Sequence, residues 1–310
     1  MTLPLVTVLM GGPDGEREVS LASGQAVVAA LEHAGLSVHS LPIDTIDVPA
    51  LKQIPGDVFF PVIHGPWGEG GPLQEVLEAD GRPYVGSGPD AARRCMHKHH
   101  TKELATSLGI PTPDWQWCTS ADSPITVGAP AVVKPAADGS SLGLHLCDSE
   151  AEILEAVHAL LPIHDEVLIE RRVDGRELTV GIVLDTALPI IEIQPCHGVY
   201  DYEAKYDRND TAYIVHPPLE SSLIEALQET SIRLCRQAGV RDLGRVDFLV
   251  DQTGPWLLEI NTMPGFTDHS LLPKAAATAG QPMPALCKAL VESAMMRTAP
   301  PQTNTAASSD

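Results

Sequence analysis

Gly244-Arg245-Val246-Asp247-Phe248 and Trp256-Leu257-Leu258-Glu259-Ile260-Asn261-Thr262-Met263-Pro264-Gly265 carry the fold-deciding pattern. Each is a short apolar run interrupted by polar side chains at alternate positions, which predicts two adjacent strands. Period-2 geometry puts Glu259 and Asn261 on one face, and Arg245 on the face of Asp247. A carboxylate among Leu257, Leu258 and Ile260 is costly unless a cation compensates it. Two acids and an amide are hard oxygen ligands, the donors of a magnesium–nucleotide site. Arg245 beside them suits a phosphate or a developing oxyanion.

Outward from this core, the chain alternates strand and helix. Residues 5–10, 38–41 and 58–63 read as strands and 84–86 as a fourth. Helical spacing over 19–34 and 73–79 predicts a parallel sheet with helices on its faces. A continuous helix is expected over 91–108, ended by Ile110-Pro111-Thr112-Pro113. Strands at 131–135 and 166–171 with a helix at 150–161 form a second unit. Strands at 178–184 and 190–194, a long helix at 223–238, the opening pair and a closing helix at 284–296 form a third. The expected divisions are 1–90, 91–174 and 175–297, with a disordered Pro/Thr/Ala/Ser-rich tail at 298–310.

Composition narrows the function. The chain has 310 residues, 44% of them hydrophobic, with 20 Lys plus Arg against 41 Asp plus Glu, a net charge of −21. That balance argues against nucleic acid or an anionic membrane as partner. Any anionic substrate must then meet a locally basic pocket. Six scattered cysteines, with no C-x-x-C pair, suggest neither a zinc site nor a disulfide framework. No signal peptide and no apolar run of about 18 residues is visible, so a cytoplasmic location is expected.

Further motifs supply chemistry. Lys134 ends a strand and leads into Ala136-Ala137-Asp138-Gly139-Ser140-Ser141-Leu142-Gly143, a turn able to offer ammonium, N–H and hydroxyl groups to phosphate. It is not a P-loop. Glu170 and Glu177 flank a turn and could meet an adenine edge and a ribose hydroxyl. The polar, aromatic run 198–206 could fold over a site and exclude water. Gly11-Gly12-Pro13-Asp14-Gly15-Glu16 lacks the dinucleotide fingerprint, and Glu16 suits a substrate ammonium better than a pyrophosphate. His64 ends a strand, where α/β ligands sit. In Met96-His97-Lys98-His99-His100 no acid or thiol accompanies the histidines, so Lys98 as a phosphate contact is favoured over a metal site.

Six such motifs, in this order over about residues 5–296, resemble the D-alanine–D-alanine ligases, an ATP-grasp family of cell-wall (peptidoglycan) synthesis. The resemblance implies a three-domain α/β and α+β fold: an N-terminal parallel-sheet domain, a central lid and a C-terminal domain, with ATP between the last two. It implies ATP, two magnesium ions (manganese as an alternative) and two D-alanine molecules, and a homodimer is common in the family. Glu16 would hold the first D-alanine's ammonium, with Ser140 and Tyr206 as its hydrogen-bonded partners and His64 nearby. Lys98, Lys134 and Lys205 would meet ATP phosphates, with Glu170 and Glu177 on the adenine and ribose sides. Asp247, Glu259 and Asn261 would hold the metals. Arg245 and the Gly265 N–H would serve the oxyanion, and Ser270 and Leu271 the second D-alanine's carboxylate. Tyrosine at 206 goes with an amine acceptor. Two departures stand out: Gly70 where Asp is usual in a G-E-D-G turn, and His97 where Asp precedes the lysine, a change that could make lid closure pH-sensitive. The rival readings are an ATP-grasp amino-acid ligase of other side-chain specificity and a non-catalytic nucleotide-binding regulator. A regulator would be expected to lack one of Asp247, Glu259, Asn261 or Arg245, and all four are present.

Overall fold

The computed structural model describes residues 3–139, 142–195 and 211–297. From its N-terminus the chain runs β1 (Leu5–Gly11), α1 (Arg17–His33), β2 (Ser37–Ile43), α2 (Val48–Leu51), β3 (Val58–Pro61), α3 (Gly65–Glu69), α4 (Pro72–Asp80), α5 (Pro89–Met96) and α6 (Lys98–Ser107). The sheet is parallel in the order β2-β1-β3. Central β1 is buried almost throughout, whereas edge strand β2 alternates. α1 lies against β1 through Ser20, Ser23 and Gly24; a Cβ on Gly24 would come within 2.6 Å of the Met10 Cβ. Only glycine allows so close a helix–strand approach.

Two expectations change here. The strand at 84–86 is reduced to one isolated bridge between Phe59 and Tyr84. The continuous helix over 91–108 is broken at His97 (φ −85°, ψ 103°). The reason is tertiary: the Lys98 N–H donates to the Ala136 carbonyl (2.8 Å), a bond an uninterrupted helix would forbid. The break turns α6, and Lys98 with it, toward the next unit.

That unit contains β4 (Trp115–Cys118), β5 (Ala131–Pro135), β6 (His145–Cys147), α7 (Glu150–His164) and β7 (Val167–Arg171). Its antiparallel sheet has the order β4-β7-β5-β6, with α7 burying Ile153, Val157 and Leu160 on one face. The strands at 115–118 and 145–147 carry no sequence signal long enough to read.

The last part holds β8 (Arg176–Val183), β9 (Thr186–Ala187), β10 (Ile191–Gln194), β11 (Ala212–Val215), α8 (Ser221–Ala238), β12 (Leu243–Asp251), β13 (Gly254–Asn261), α9 (Leu271–Thr278) and α10 (Met283–Met296). The antiparallel path is β11-β10-β8-β12-β13. Leu178, Val180, Ile182, Val246, Phe248, Leu257 and Ile260 form the core under α8. The opposite face of the same strands carries the polar residues. The core of the first sheet is continued by Leu271, Leu272, Leu286 and Leu290 from the end of the chain.

Five described cysteines are free and buried, and burial pushes the Cys235 and Cys287 thiols up to about 12. Among the described residues, no helix is long and apolar enough to cross a membrane.

Candidate active site

The antiparallel register of β12 and β13 sets Arg245 opposite Asn261 and Asp247 opposite Glu259, so all four project from one face. On its other side β12 pairs with β8, placing Thr179 opposite Asp247. Glu177 lies two residues along and shares this face. The register shifts between Asp247 and Phe248, leaving Leu258 as the extra residue of a bulge. Simple alternation would put Leu257 beside Glu259 and Asn261. The bulge instead turns Leu257 into the apolar core and leaves the polar pair on the site face.

Asp247 is buried and strongly held. Arg245 forks onto it, Nε 3.0 Å from Oδ1 and Nη2 2.8 Å from Oδ2, and the Thr179 hydroxyl donates to Oδ1 at 2.6 Å. Asn261 Oδ1 accepts from the Met263 N–H (3.0 Å), which starts the loop leading to Gly265 and Ser270. Among the described residues no group of three His, Cys, Asp or Glu side chains gathers for a metal. The donors are instead two carboxylates and an amide. That all-oxygen, partial set fits magnesium, which keeps several waters and takes its remaining ligands from substrate phosphates.

Lysines approach from the lid side. Lys98 Nζ lies 3.7 Å from Glu259 Oε2 and donates to the Asp138 carbonyl. Lys134 and Glu170 share a face of the second sheet, because β5 and β7 pair Val132 with Glu170 and Lys134 with Leu168. Lys134 Nζ sits 2.7 Å from Glu170 Oε2, and Lys102 Nζ ion-pairs with Oε1. Burial works against ionisation of Glu170, but the two ammoniums outweigh it and hold its pKa below the ordinary value. Lys134 is raised because Glu170, with smaller help from Glu259, overcomes its own burial. Both carboxylate oxygens are thus engaged by cations, so the expected meeting of Glu170 with an adenine edge reaches the acid only through this trio.

Glu16 and His64 form the far wall. Glu16 is buried at the start of α1, and Gly139 comes so near that a Cβ there would lie 3.0 Å from Glu16 Oε2. His64 is buried just before α3. Burial lowers its pKa, but Glu69, 3.8 Å from Nδ1, and Glu16 raise it more, and the net direction is up. Its buried Nε2 has no hydrogen-bond partner among the described residues.

The floor is the loop after β13. Ser23 of α1 accepts from the Phe266 N–H (3.1 Å), and Ser270 Oγ accepts from the Thr267 N–H (2.9 Å). Ser270 stands at the position just before α9, with Leu271 as the first helical residue. Gly265 lies against Ser270; a Cβ would fall 2.8 Å from Oγ.

Of the departures, Gly70 closes α3 with the Pro66 carbonyl in the space a Cβ would need. His97 binds Glu166 (Nε2 to Oε2, 2.8 Å) and stacks on His100 at 4.2 Å. Ser140, Lys205 and Tyr206 lie outside the described residues, as does the tail.

Sequence reasoning missed Lys102, Thr179 and Ser23. Lys102 stands four residues after Lys98 on α6 and so on the same side of the helix, but its burial against Glu170 depends on β7. Thr179 follows Glu177 by two, but its place beside Asp247 depends on which strands pair. Ser23 has no sequence signal.

A family model described as D-ala D-ala ligase C-terminus matches residues 104–292. The D-alanine–D-alanine ligases of Marinobacter nauticus and Aquifex aeolicus are each 41% identical over 89% of this chain and 86% and 95% of their own lengths. Among solved structures, D-alanine–D-alanine ligase from Bacillus anthracis complexed with ATP aligns with a TM-score of 0.83 at 31% identity, covering 95% of this chain and 98% of that one.

Proposed function

The chain belongs to the D-alanine–D-alanine ligase family, and from that premise we propose how its residues perform the ATP-dependent joining of two D-alanine molecules, a peptidoglycan precursor step. The carboxylate of one D-alanine attacks the γ-phosphorus of ATP; ADP leaves and an acyl phosphate forms. The amine of the second D-alanine attacks the acyl carbon and loses a proton, and inorganic phosphate leaves as the peptide bond forms.

Glu16, buried at the mouth between α1 and the Gly139 turn, takes the first ammonium, with Ser140 and Tyr206 as hydrogen-bonding partners. His64, held toward its charged form by Glu69 and Glu16, faces the same substrate. Lys98, Lys134 and Lys205 meet the phosphates, and Glu177 the ribose. Glu170 acts on the adenine side by fixing Lys134. Asp247, Glu259 and Asn261 would hold two magnesium ions, or manganese in their place, which when bound offset charge on the transferred group. Arg245 and the Gly265 N–H stabilise the tetrahedral oxyanion, each donor contributing about 10²–10³ in rate. Ser270 and Leu271, at the start of α9, receive the second carboxylate. Closure of the lid over the site keeps water from the acyl phosphate. The three parts of the chain, 1–90, 91–174 and 175–297, act as substrate domain, lid and metal-bearing domain.

The observation that carries this reading is the single face shared by Arg245, Asp247, Glu259 and Asn261, with Lys98 reaching Glu259 across it. The test is phosphate release with ATP, magnesium and D-alanine. Release with D-alanine and none with L-alanine is expected; equal release with both would overturn the substrate assignment.

A further inference from the structure

One lysine that cannot touch a ligand stands behind one that can. The Lys102 side chain has no exposed surface, whereas Lys134 keeps 12% of its own. Between them lies Glu170, 3% exposed, with one oxygen on each ammonium. Lys102 also donates to Thr112 Oγ1 at 2.6 Å, and Thr112 donates to the Leu257 carbonyl at 2.9 Å. The lysine therefore sits where α6, the lid sheet and the large sheet meet. The Trp115 ring lies 5.7 Å from its Nζ, and the field of Glu259 also reaches it.

A buried ammonium is a costly way to fill space, since Met would fill the same volume without the desolvation. Charge explains it better. Glu170 orients Lys134 but also cancels its charge, and a neutral pair attracts a phosphate weakly. With Lys102 present, two positive charges and one negative leave the trio at +1.

We propose that Lys102 is a positioning residue for nucleotide binding: it neutralises Glu170 from behind, so that Lys134 is held in place by the carboxylate and still presents a net positive charge to a nucleotide phosphate. This rests on Lys134 as a phosphate contact. Burial, offset in part by Glu170, pushes Lys102 down to about 8, which still leaves it mostly charged at neutral pH.

The experiment measures KM for ATP and for D-alanine, with magnesium, in four variants of the full chain. Lys102→Met is expected to raise KM for ATP about tenfold or more (~1.4 kcal/mol), with KM for D-alanine unchanged within about twofold. Lys102→Arg restores the charge and should restore most of the ATP affinity. In Lys102→Met with Glu170→Gln the trio returns to +1, so ATP affinity should recover relative to the single variant. An unchanged ATP KM in Lys102→Met, equal shifts for both substrates, or no recovery in the double variant would overturn the proposal. If the single variant does not fold, the double variant, which buries no carboxylate, decides: ATP binding more than about tenfold weaker than normal refutes charge compensation. Lys134→Met separates the two layers. Normal ATP affinity there removes the reading of Lys134 itself, and with it the proposal. Loss there, with normal affinity in Lys102→Met, removes only the role given to Lys102.

Discussion

Replacing Arg245 with Met should make the stability of this protein depend on divalent metal. In the folded chain the guanidinium makes three contacts with Asp247, at 3.0, 3.3 and 2.8 Å, and the two side chains are only 14% and 8% exposed. Met keeps most of the volume and removes the charge. Among the described residues, Asp247 is then left with the Thr179 hydroxyl as its remaining hydrogen-bond partner. Removing one member of a buried ion pair costs ~3–5 kcal/mol, and partial access to water places this case near ~3 kcal/mol. Thr179 cannot offset that, because a neutral hydroxyl contributes only about 1 kcal/mol. A cation bound at Asp247 can, through preferential binding to the folded state. Urea unfolding of both proteins, with magnesium and a non-hydrolysable ATP analogue or with chelator, tests this. The variant should trail the wild type by about 3 kcal/mol in chelator, and the gap should narrow with metal and nucleotide. Dipeptide formation should fall about 10²–10³-fold while the nucleotide analogue still binds. A gap below ~0.5 kcal/mol in chelator would refute the pair as a stabilising contact. A gap that ignores metal would refute Asp247 as a ligand, and near-normal ligation would refute Arg245 as an oxyanion donor.

Three further outcomes are expected. Glu170→Gln leaves Lys102 and Lys134 without their counter-charge and should cost about 3 kcal/mol near neutral pH. Because the folded-state pKa of Glu170 lies below 4.5, its stabilising share is present above that value and lost as pH falls through the folded one, so the gap between variant and wild type should shrink on acidification below 4.5; a constant gap in urea unfolding would contradict this. Gly139→Ala would set a methyl 3.0 Å from Glu16 Oε2, so KM for the first D-alanine should rise while ATP binding is kept; steady-state kinetics that show only an ATP effect would count against the Glu16–Gly139 contact. Ser23→Ala deprives the buried Phe266 N–H of its acceptor and should cost ~1–3 kcal/mol with a raised KM for the second D-alanine; unchanged melting and kinetics would show that the loop does not depend on α1.

Much of the fold was legible because it is written in local periodicity. The strands at β1 and β3, the crossover helix α1 and the paired strands β12 and β13 all follow from apolar spacing. Short elements were not. β4 and β6 hold four and three residues, too few for a period to register. The split at His97 was also hidden, because its cause is a carbonyl at Ala136, 39 positions away along the chain. The same division runs through the site. Asp247, Glu259 and Asn261 announce themselves as polar interruptions in apolar strands. Lys102 does not, because a lysine on a helix ordinarily faces water, and only the approach of β7 with Glu170 makes it a buried ion.

The sequence by itself determined which residue types are present to do the chemistry: oxygen donors at period-2 spacing, lysines at strand and helix ends, an acid at a glycine turn. Tertiary structure alone decided how they face one another. The bulge at Leu258 and the β8–β12–β13 register put Thr179, Asp247 and Glu259 side by side. Folding the lid unit beside them brought Lys98 to Glu259 and Gly139 to Glu16. The physical reason is range. Alternation and helical spacing are properties of neighbours along the chain, whereas a charge's partner and its burial depend on strands and helices that meet only once the chain has folded.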